Sequence, residues 1–239
     1  MRTTPHASGV TGRDLADRSR WSDFSVRVAS ALVLGPVSLA AIWAGGAYWA
    51  VLLSVLAVIA AIEWGGICNW RRRDAGTITA GVLYVALAWL SLLALRMGAA
   101  GRGNLLFVIA VVWAADIGAY AAGRMIGGPK LWPSLSPSKT WAGAAGGILS
   151  GIAAGVIVAA VVEGGIAPGA FVTAAALTIA AQIGDLAESA LKRRYQKKDS
   201  GWLIPGHGGV LDRVDGLLAA APIGYLLAAE AGSGAFLWR

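Results

Sequence analysis

Long apolar runs separated by short polar stretches dominate the order of residues along this chain. Each run has about the 20 residues that a helix needs to cross the hydrocarbon core of a bilayer. The pattern predicts seven membrane-spanning helices, at residues 25–45, 48–69, 77–97, 104–123, 141–163, 167–193 and 210–232. Only Gly45-Gly46-Ala47 separates the first two runs, so we expect a tight turn there. The predicted fold class is all-α, a polytopic helical bundle of the membrane.

The composition agrees with a membrane protein. Hydrophobic residues make up 57% of the chain and charged residues only 14%, against roughly 25% charged residues in a soluble domain. The mean hydropathy is +0.65. The net charge of +7 would suit nucleic acid, but the basic residues lie between the apolar runs, so we expect no nucleic-acid partner. The single cysteine, Cys68, excludes an intrachain disulfide framework and a Cys-based zinc site.

The distribution of Lys and Arg predicts the orientation of the chain. Residues 1–24 are polar and are predicted to form a cytoplasmic tail ahead of one membrane domain at 25–239. This arrangement puts seventeen of the 20 basic residues on the cytosolic side, including the run Arg71–Arg73, and positive loops normally face that side. The polar loops 124–140 and 194–209 then open to the cytosol, where nucleoside triphosphates are found.

Acidic residues occur inside or at the mouth of several predicted spans. A carboxylate there costs at least about 2–3 kcal/mol unless it is paired, metal-bound or hydrated. The candidates are therefore Glu63, Asp116, Asp185, Glu188, Asp212 and Asp215. One helix stripe carries Asp185, Glu188, Ser189 and Lys192. Two helix ends can present several carboxylate oxygens to one cavity, and hard oxygen donors favour Mg²⁺ or Ca²⁺ over zinc.

Each of these features also has a simpler interpretation. A Lys/Arg run beside a span usually marks topology or contacts anionic lipid. The paired aspartates could bind Arg213, and Asp116 could make a structural hydrogen bond with Tyr120. Glu63 is more simply a buried carboxylate bonded to a neighbouring helix. Against the simple interpretations, the acids, the basic residues and a Gly-rich turn coincide within residues 185–215.

Residues 189–215 resemble the signature of the phosphatidate cytidylyltransferases, also called CDP-diacylglycerol synthases. The chain fills that signature without a gap or substitution, at Ser189, Lys192, Arg193, Lys198, Asp199, His207, Gly208, Gly209, Asp212, Arg213 and Asp215. Other segments are similar to the same family, namely Glu63-Trp64, 113–124, 136–141 and 182–188. The resemblance covers roughly residues 28–230.

The resemblance implies an enzyme that makes CDP-diacylglycerol and pyrophosphate from CTP and phosphatidic acid, for phospholipid biosynthesis. It also implies a multi-pass protein of the cell membrane (in a bacterium, the inner membrane), a cytoplasm-facing active site and a homodimer. The reaction brings one anion onto the α-phosphorus of another. We therefore expect catalysis by charge neutralisation and in-line positioning.

The resemblance distributes roles over the matching residues. The predicted catalytic residues are Asp185, Asp212, Asp215 and Lys192, and the three aspartates would hold Mg²⁺, with room for a second, monovalent cation. The predicted phosphate ligands are Lys192, Arg193 and Lys198, with backbone N–H groups at Gly208 and Gly209. His207 and Arg213 would contact nucleotide or lipid phosphate, and Ser189 substrate. Ser136, Lys139 and Thr140 would line the path of the lipid phosphate, and Asp116 would be a further ligand or orient Lys139.

Two departures from the family pattern stand beside three rival functions. Ala142 occupies a position where the family commonly has Glu or Gln, and the chain lacks one helical hairpin that longer members have, as if it were deleted between residues 70 and 77. The rivals are a related enzyme with another lipid acceptor, an ion-coupled transporter and a non-catalytic membrane scaffold. An acceptor panel, flux without CTP, and tolerance of the charged residues to substitution would distinguish them.

Overall fold

The computed structural model describes residue 32, residues 35–201, residue 203, residues 208–232 and residues 234–239. Its helices are α1 (Gly35–Ala44), α2 (Gly46–Ile67), α3 (Ala75–Arg96), α4 (Gly101–Met125), α5 (Trp141–Glu163), α6 (Gly169–Arg194) and α7 (Leu211–Ala231). The last six are long and apolar enough to span a membrane. The all-α, multi-pass prediction is confirmed, and helix ends differ from the predicted ones by at most three residues for α2–α7.

Only part of the first predicted helix, and none of the predicted tail, lies within the described residues. The helix predicted at 25–45 coincides with α1 over Gly35–Ala44, and its earlier part lies outside the described residues. Residues 1–24 also lie outside them, so the division into tail and membrane domain stays a prediction. The tight turn is confirmed: α2 follows α1 directly at Gly45 and Gly46, which adopt positive φ angles of 65° and 50°.

Small residues bring α5 close to its two neighbours, as expected where membrane helices pack closely. A Cβ atom on Gly146 would lie 2.3 Å from Ala122 of α4, and one on Gly151 would lie 2.1 Å from the hydroxyl of Thr178 on α6. Helix α7 packs on α6, α3 and α4, and it contains Pro222, which membrane helices tolerate. The bundle therefore places α4, α5, α6 and α7 around a common interior.

A short β-hairpin joins α4 to α5, within the segment for which the sequence predicted only a polar loop. Strand β1 (Lys130–Trp132) pairs antiparallel with β2 (Ser136–Thr140), and Lys130 lies opposite Thr140. Thr140 then begins α5, because its side-chain oxygen accepts a hydrogen bond of 3.0 Å from the N–H of Gly143. The hairpin thus fixes its last two residues at the end of the bundle where α4 and α6 end and α7 begins.

Candidate active site

A polar cavity of about 570 Å³ opens at this end of the bundle, between α4, the hairpin, α5, α6 and α7. Eight of the site residues predicted from the sequence line it: Asp116, Lys139, Thr140, Asp185, Lys192, Asp212, Arg213 and Asp215. They come from α4, α6, α7 and the hairpin, because antiparallel helices bring the ends of α4 and α6 beside the start of α7. Carboxylates and cations therefore share one space.

Asp212 is saturated with hydrogen-bond donors. Its carboxylate accepts from the backbone N–H of Ser200 at 2.9 Å, from that of Gly209 at 3.0 Å, and from the ammonium of Lys192 at 2.7 Å. The pairing with Arg213 that the sequence left open is not among these contacts. Asp212 therefore ties the segment after α6 to the first turn of α7.

Lys192 lies between two carboxylates of the site. Its Nζ is 2.7 Å from Asp212 Oδ1 and 3.1 Å from Glu188 Oε1, one helical turn earlier on α6. The side chains of Lys192 and Glu188 are 13% and 4% exposed. A charge buried to this extent is expensive without a partner. Lys192 thus forms an ion pair with both Glu188 and Asp212 and links α6 to α7.

Glu63 of α2 also binds both the segment after α6 and the start of α7. It is buried, and it accepts hydrogen bonds from the N–H groups of Val210 (3.1 Å) and Leu211 (2.8 Å) and from the hydroxyl of Ser200 (3.1 Å). The first N–H groups of a helix have no partner within the helix, so Glu63 supplies the acceptor that α7 needs. The simpler interpretation of Glu63, a buried carboxylate bonded to a neighbouring helix, is confirmed.

The glycines of the His-Gly-Gly turn are explained by these carboxylates. A Cβ atom on Gly209 would lie 2.0 Å from Ser200 Oγ and 2.5 Å from Glu63 Oε2. Gly208 has a φ of 83°, a conformation that favours glycine. The sequence suggested that the N–H groups here approach phosphate, but the N–H of Gly209 already binds Asp212. Glycine is needed at 209 because the carboxylate of Glu63 occupies the space of a side chain.

Besides Asp212, three carboxylates of the predicted site face the cavity with fewer partners. Asp185 forms an ion pair with Lys139 of the hairpin. Asp215 accepts a hydrogen bond of 2.8 Å from the N–H of Gly216, its neighbour in the chain. Asp116 lies within Coulombic range of Asp185, Lys139 and Arg213, and Asp215 lies within range of Asp185 and Asp116. The hydrogen bond suggested between Asp116 and Tyr120 is not among the contacts of the described residues. The hydroxyl of Tyr120 accepts a hydrogen bond from Arg124 at 3.0 Å instead.

The other predicted site residues that the structure describes do not line the cavity. Arg193 is exposed and donates to the carbonyl oxygens of Leu135 (3.3 Å) and Lys197 (3.4 Å), so it connects α6 to the hairpin. The other residues of this group are Ser136, Ser189, Lys198, Gly208 and Gly209, of which Lys198 is exposed. His207 lies outside the described residues.

The donor chemistry of the cavity fits Mg²⁺, although its side chains are not yet arranged as a metal cage. Asp116, Asp185 and Asp215 provide only oxygen ligands, which Mg²⁺ prefers, and their mutual repulsion is what a divalent cation would relieve. Among the described residues, no three His, Cys, Asp or Glu side chains are grouped closely enough to hold a metal. Asp185 is paired with Lys139 through only one of its two oxygens.

Comparisons with known proteins agree with the motif. A model of the cytidylyltransferase family matches residues 74–229. The chain is 37% identical over 257 aligned residues to the phosphatidate cytidylyltransferase of Brucella suis, with 87% of this chain and 94% of that protein covered. It is 40% identical to the protein of that name from Pseudomonas aeruginosa, over 72% of this chain and 62% of that one.

A third relative comes from Bacillus subtilis. The phosphatidate cytidylyltransferase of Bacillus subtilis is 38% identical, over 65% of this chain and 59% of that protein. The residues matched by the family model include α4, the hairpin, α5, α6 and almost all of α7, and therefore all the elements that line the polar cavity. The chain is thus an enzyme of the cytidylyltransferase family.

Proposed function

We propose that this enzyme transfers the cytidylyl group of CTP to phosphatidic acid and so makes CDP-diacylglycerol and pyrophosphate for phospholipid biosynthesis. The observation that carries the proposal is the mixed charge of the polar cavity at one end of a membrane bundle. Cationic side chains suit two phosphorylated reactants, and carboxylates suit a divalent ion. The names of the relatives from Brucella, Pseudomonas and Bacillus support the choice of phosphatidate as acceptor.

The reaction asks the protein mainly to bring two anions together. An oxygen of the lipid phosphate forms a bond to the α-phosphorus of CTP. The bond from that phosphorus to the oxygen that bridges the α- and β-phosphates breaks, and pyrophosphate leaves. The lipid phosphate is already an anion at neutral pH, so a strong general base is not required. Lys139, Lys192 and Arg213 line the cavity and would neutralise charge on both reactants.

Magnesium is part of this proposal. Bound there, it would offset charge on the triphosphate and on the leaving pyrophosphate. Asp185 and Asp215 would hold it, with Asp116 as a further ligand. Asp212, the other predicted ligand, would join them only by giving up one of its present donors, Lys192, Ser200 or Gly209. The second, monovalent cation predicted from the sequence would occupy the same group of carboxylates.

The proposal includes orientation and assembly. The basic residues at the cavity end of the bundle support a cytoplasm-facing site in the cell membrane, on the inner membrane in a bacterium. The same end carries the basic end of α6, Lys192–Arg194. Homodimerisation remains the expectation that the sequence resemblance raised. The orientation can be tested by adding protease to intact inverted vesicles, whose outer face is the cytoplasmic one. Cleavage at the hairpin would support the proposed orientation.

The test of the function is direct. Purified protein in detergent, given radiolabelled CTP, phosphatidic acid and Mg²⁺, should yield a labelled lipid that co-migrates with CDP-diacylglycerol and an equal amount of pyrophosphate. Chelation of the metal with EDTA should stop the label transfer, and added Mg²⁺ should restore it. Label transfer only to another phospholipid acceptor would replace the acceptor. Ion flux without CTP, or an absence of any transfer, would overturn the proposal.

A further inference from the structure

A second cavity, of about 350 Å³, lies on the opposite side of α7 and is almost entirely apolar. Helices α1, α2, α3, α4 and α7 surround it. Of the described residues that line it, only Ser38 and Arg213 carry a hydroxyl or a charge. Its volume falls within the range of roughly 300–1,000 Å³ that small-molecule sites occupy.

The walls of this apolar cavity offer carbon rather than hydrogen-bonding groups. Trp49 and Trp89 line it, and the indole N–H of each is already bonded, to the carbonyl of Leu92 at 3.3 Å and to the hydroxyl of Ser54 at 3.1 Å. Along α2 the lining runs from Trp49 to Ala60, which is roughly 16 Å at 1.5 Å per helical residue. The cavity is therefore long and suited to a hydrocarbon chain.

The apolar cavity and the polar cavity meet between α4 and α7. Arg213 lines both cavities. On α4, Trp113 faces the apolar cavity and Asp116, three residues later on the same helix face, faces the polar one. The guanidinium of Arg213 also lies within Coulombic range of Asp116. A cation therefore marks the boundary between a hydrocarbon-like space and the space proposed for nucleotide chemistry.

We propose that the apolar cavity binds one acyl chain of phosphatidic acid and that Arg213 binds the phosphate of the same lipid molecule. This inference rests on the function proposed above and assigns Arg213 to the lipid rather than to the nucleotide. A phospholipid with a single anionic headgroup matches both features, because its charge and its chain are joined at a short distance. Positioning the chain beside α2 and α7 directs the lipid phosphate into the polar cavity.

The test uses a substitution that reduces the volume of the apolar cavity and leaves the residues of the polar cavity unchanged. Ala57 of α2 lines the apolar cavity, whereas its neighbour Val58 is exposed on the outer face of the same helix. Ala57→Trp should raise KM for a dioleoyl phosphatidic acid at least about tenfold, because several buried methylene groups lose their site. KM for CTP, and turnover of dihexanoyl phosphatidic acid, should stay close to wild type. Val58→Trp is the matched control and should change none of these values.

Binding can be measured separately from turnover. Phosphatidic acid with a diazirine at the end of one acyl chain should, on illumination without CTP, label peptides of α2 and α7 that line the apolar cavity. Unlabelled phosphatidic acid should compete for this labelling, and Ala57→Trp should reduce it. Equal effects of Ala57→Trp and Val58→Trp, or equal losses with long-chain and short-chain lipid, would overturn the acyl-chain assignment. A wild-type protein that forms no CDP-diacylglycerol but gives competed labelling would instead overturn only the proposed function.

Discussion

Two sets of acidic side chains lie in the same end of the bundle and differ in what surrounds them. Glu63 accepts three hydrogen bonds from residues 200–211. Asp212 accepts from two backbone N–H groups in the same residues and from the ammonium of Lys192. Asp185 and Asp215 face the polar cavity, and the described contacts of each involve a single partner, Lys139 or the N–H of Gly216. Similar carboxylates therefore do different work in neighbouring places.

The difference indicates how to separate positioning from chemistry among buried acids. A carboxylate that already accepts three or more hydrogen bonds has little lone-pair capacity left for a metal or substrate, and an N–H left without its acceptor costs about 1–3 kcal/mol. Asp185 and Asp215 face the cavity with one described partner each, so most of their lone pairs remain available. We therefore propose that Glu63 positions the start of α7 and that Asp185 and Asp215 act on the reactants.

The largest expected effect is on activity, at Asp215. Asp215→Asn keeps the size of the side chain and removes the charge that would hold Mg²⁺. Label transfer from CTP to phosphatidic acid should fall on the order of a thousandfold, while the thermal midpoint in detergent and the elution volume stay near those of wild type. Activity within a few-fold of wild type would mean that facing the cavity does not identify the carboxylates that do chemistry.

A smaller effect, on stability, is expected at Glu63. Glu63→Gln replaces one acceptor oxygen by an NH₂ group, which must face the N–H of Val210 in place of Oε1, or the N–H of Leu211 and the hydroxyl of Ser200 in place of Oε2. Unfolding should become easier by about 2 kcal/mol, measured as a lower thermal midpoint in detergent. Activity should follow the folded fraction. Glu230→Gln makes the same chemical change at an exposed position of α7 and should have no effect.

A result of the opposite kind at Glu63 would break the comparison. If Glu63→Gln left the thermal midpoint unchanged and abolished turnover at low temperature, Glu63 would belong with Asp185 and Asp215. The saturation of a carboxylate by N–H donors would then fail to predict its role.

The spans α2–α7 and the acids Asp116, Asp185, Asp212 and Asp215 of the polar cavity were predictable because both follow from local pattern. Runs of about 20 apolar residues have few alternatives to crossing a bilayer. Spacing along one helix also placed Asp185 and Lys192 on a common face, and both line the polar cavity. The cost of a charge in a membrane then pointed to each intramembrane acid.

Contacts between distant parts of the chain were not predictable in the same way. Ser200 and Leu211 bind Glu63 from 137 and 148 residues away, and nothing in the order of residues shows which carboxylate meets which N–H. The apolar cavity was missed for a related reason. Its walls have the same apolar composition as surfaces that face lipid. Only the packing of α2, α3 and α7 shows which apolar residues enclose a cavity and which face lipid.

The smallest effect is expected at Thr140. This residue shares a feature with each set of acids, because it lines the polar cavity and yet is only 3% exposed. Its hydroxyl oxygen already accepts from the N–H of Gly143. Thr140→Ala should therefore lower the stability by about 1 kcal/mol through the lost helix cap, with KM for phosphatidic acid changed less than about twofold, and Thr140→Ser should restore the midpoint. A large rise in KM at an unchanged thermal midpoint would show that this hydroxyl binds the lipid phosphate instead, and would place Thr140 with the residues that touch the reactants.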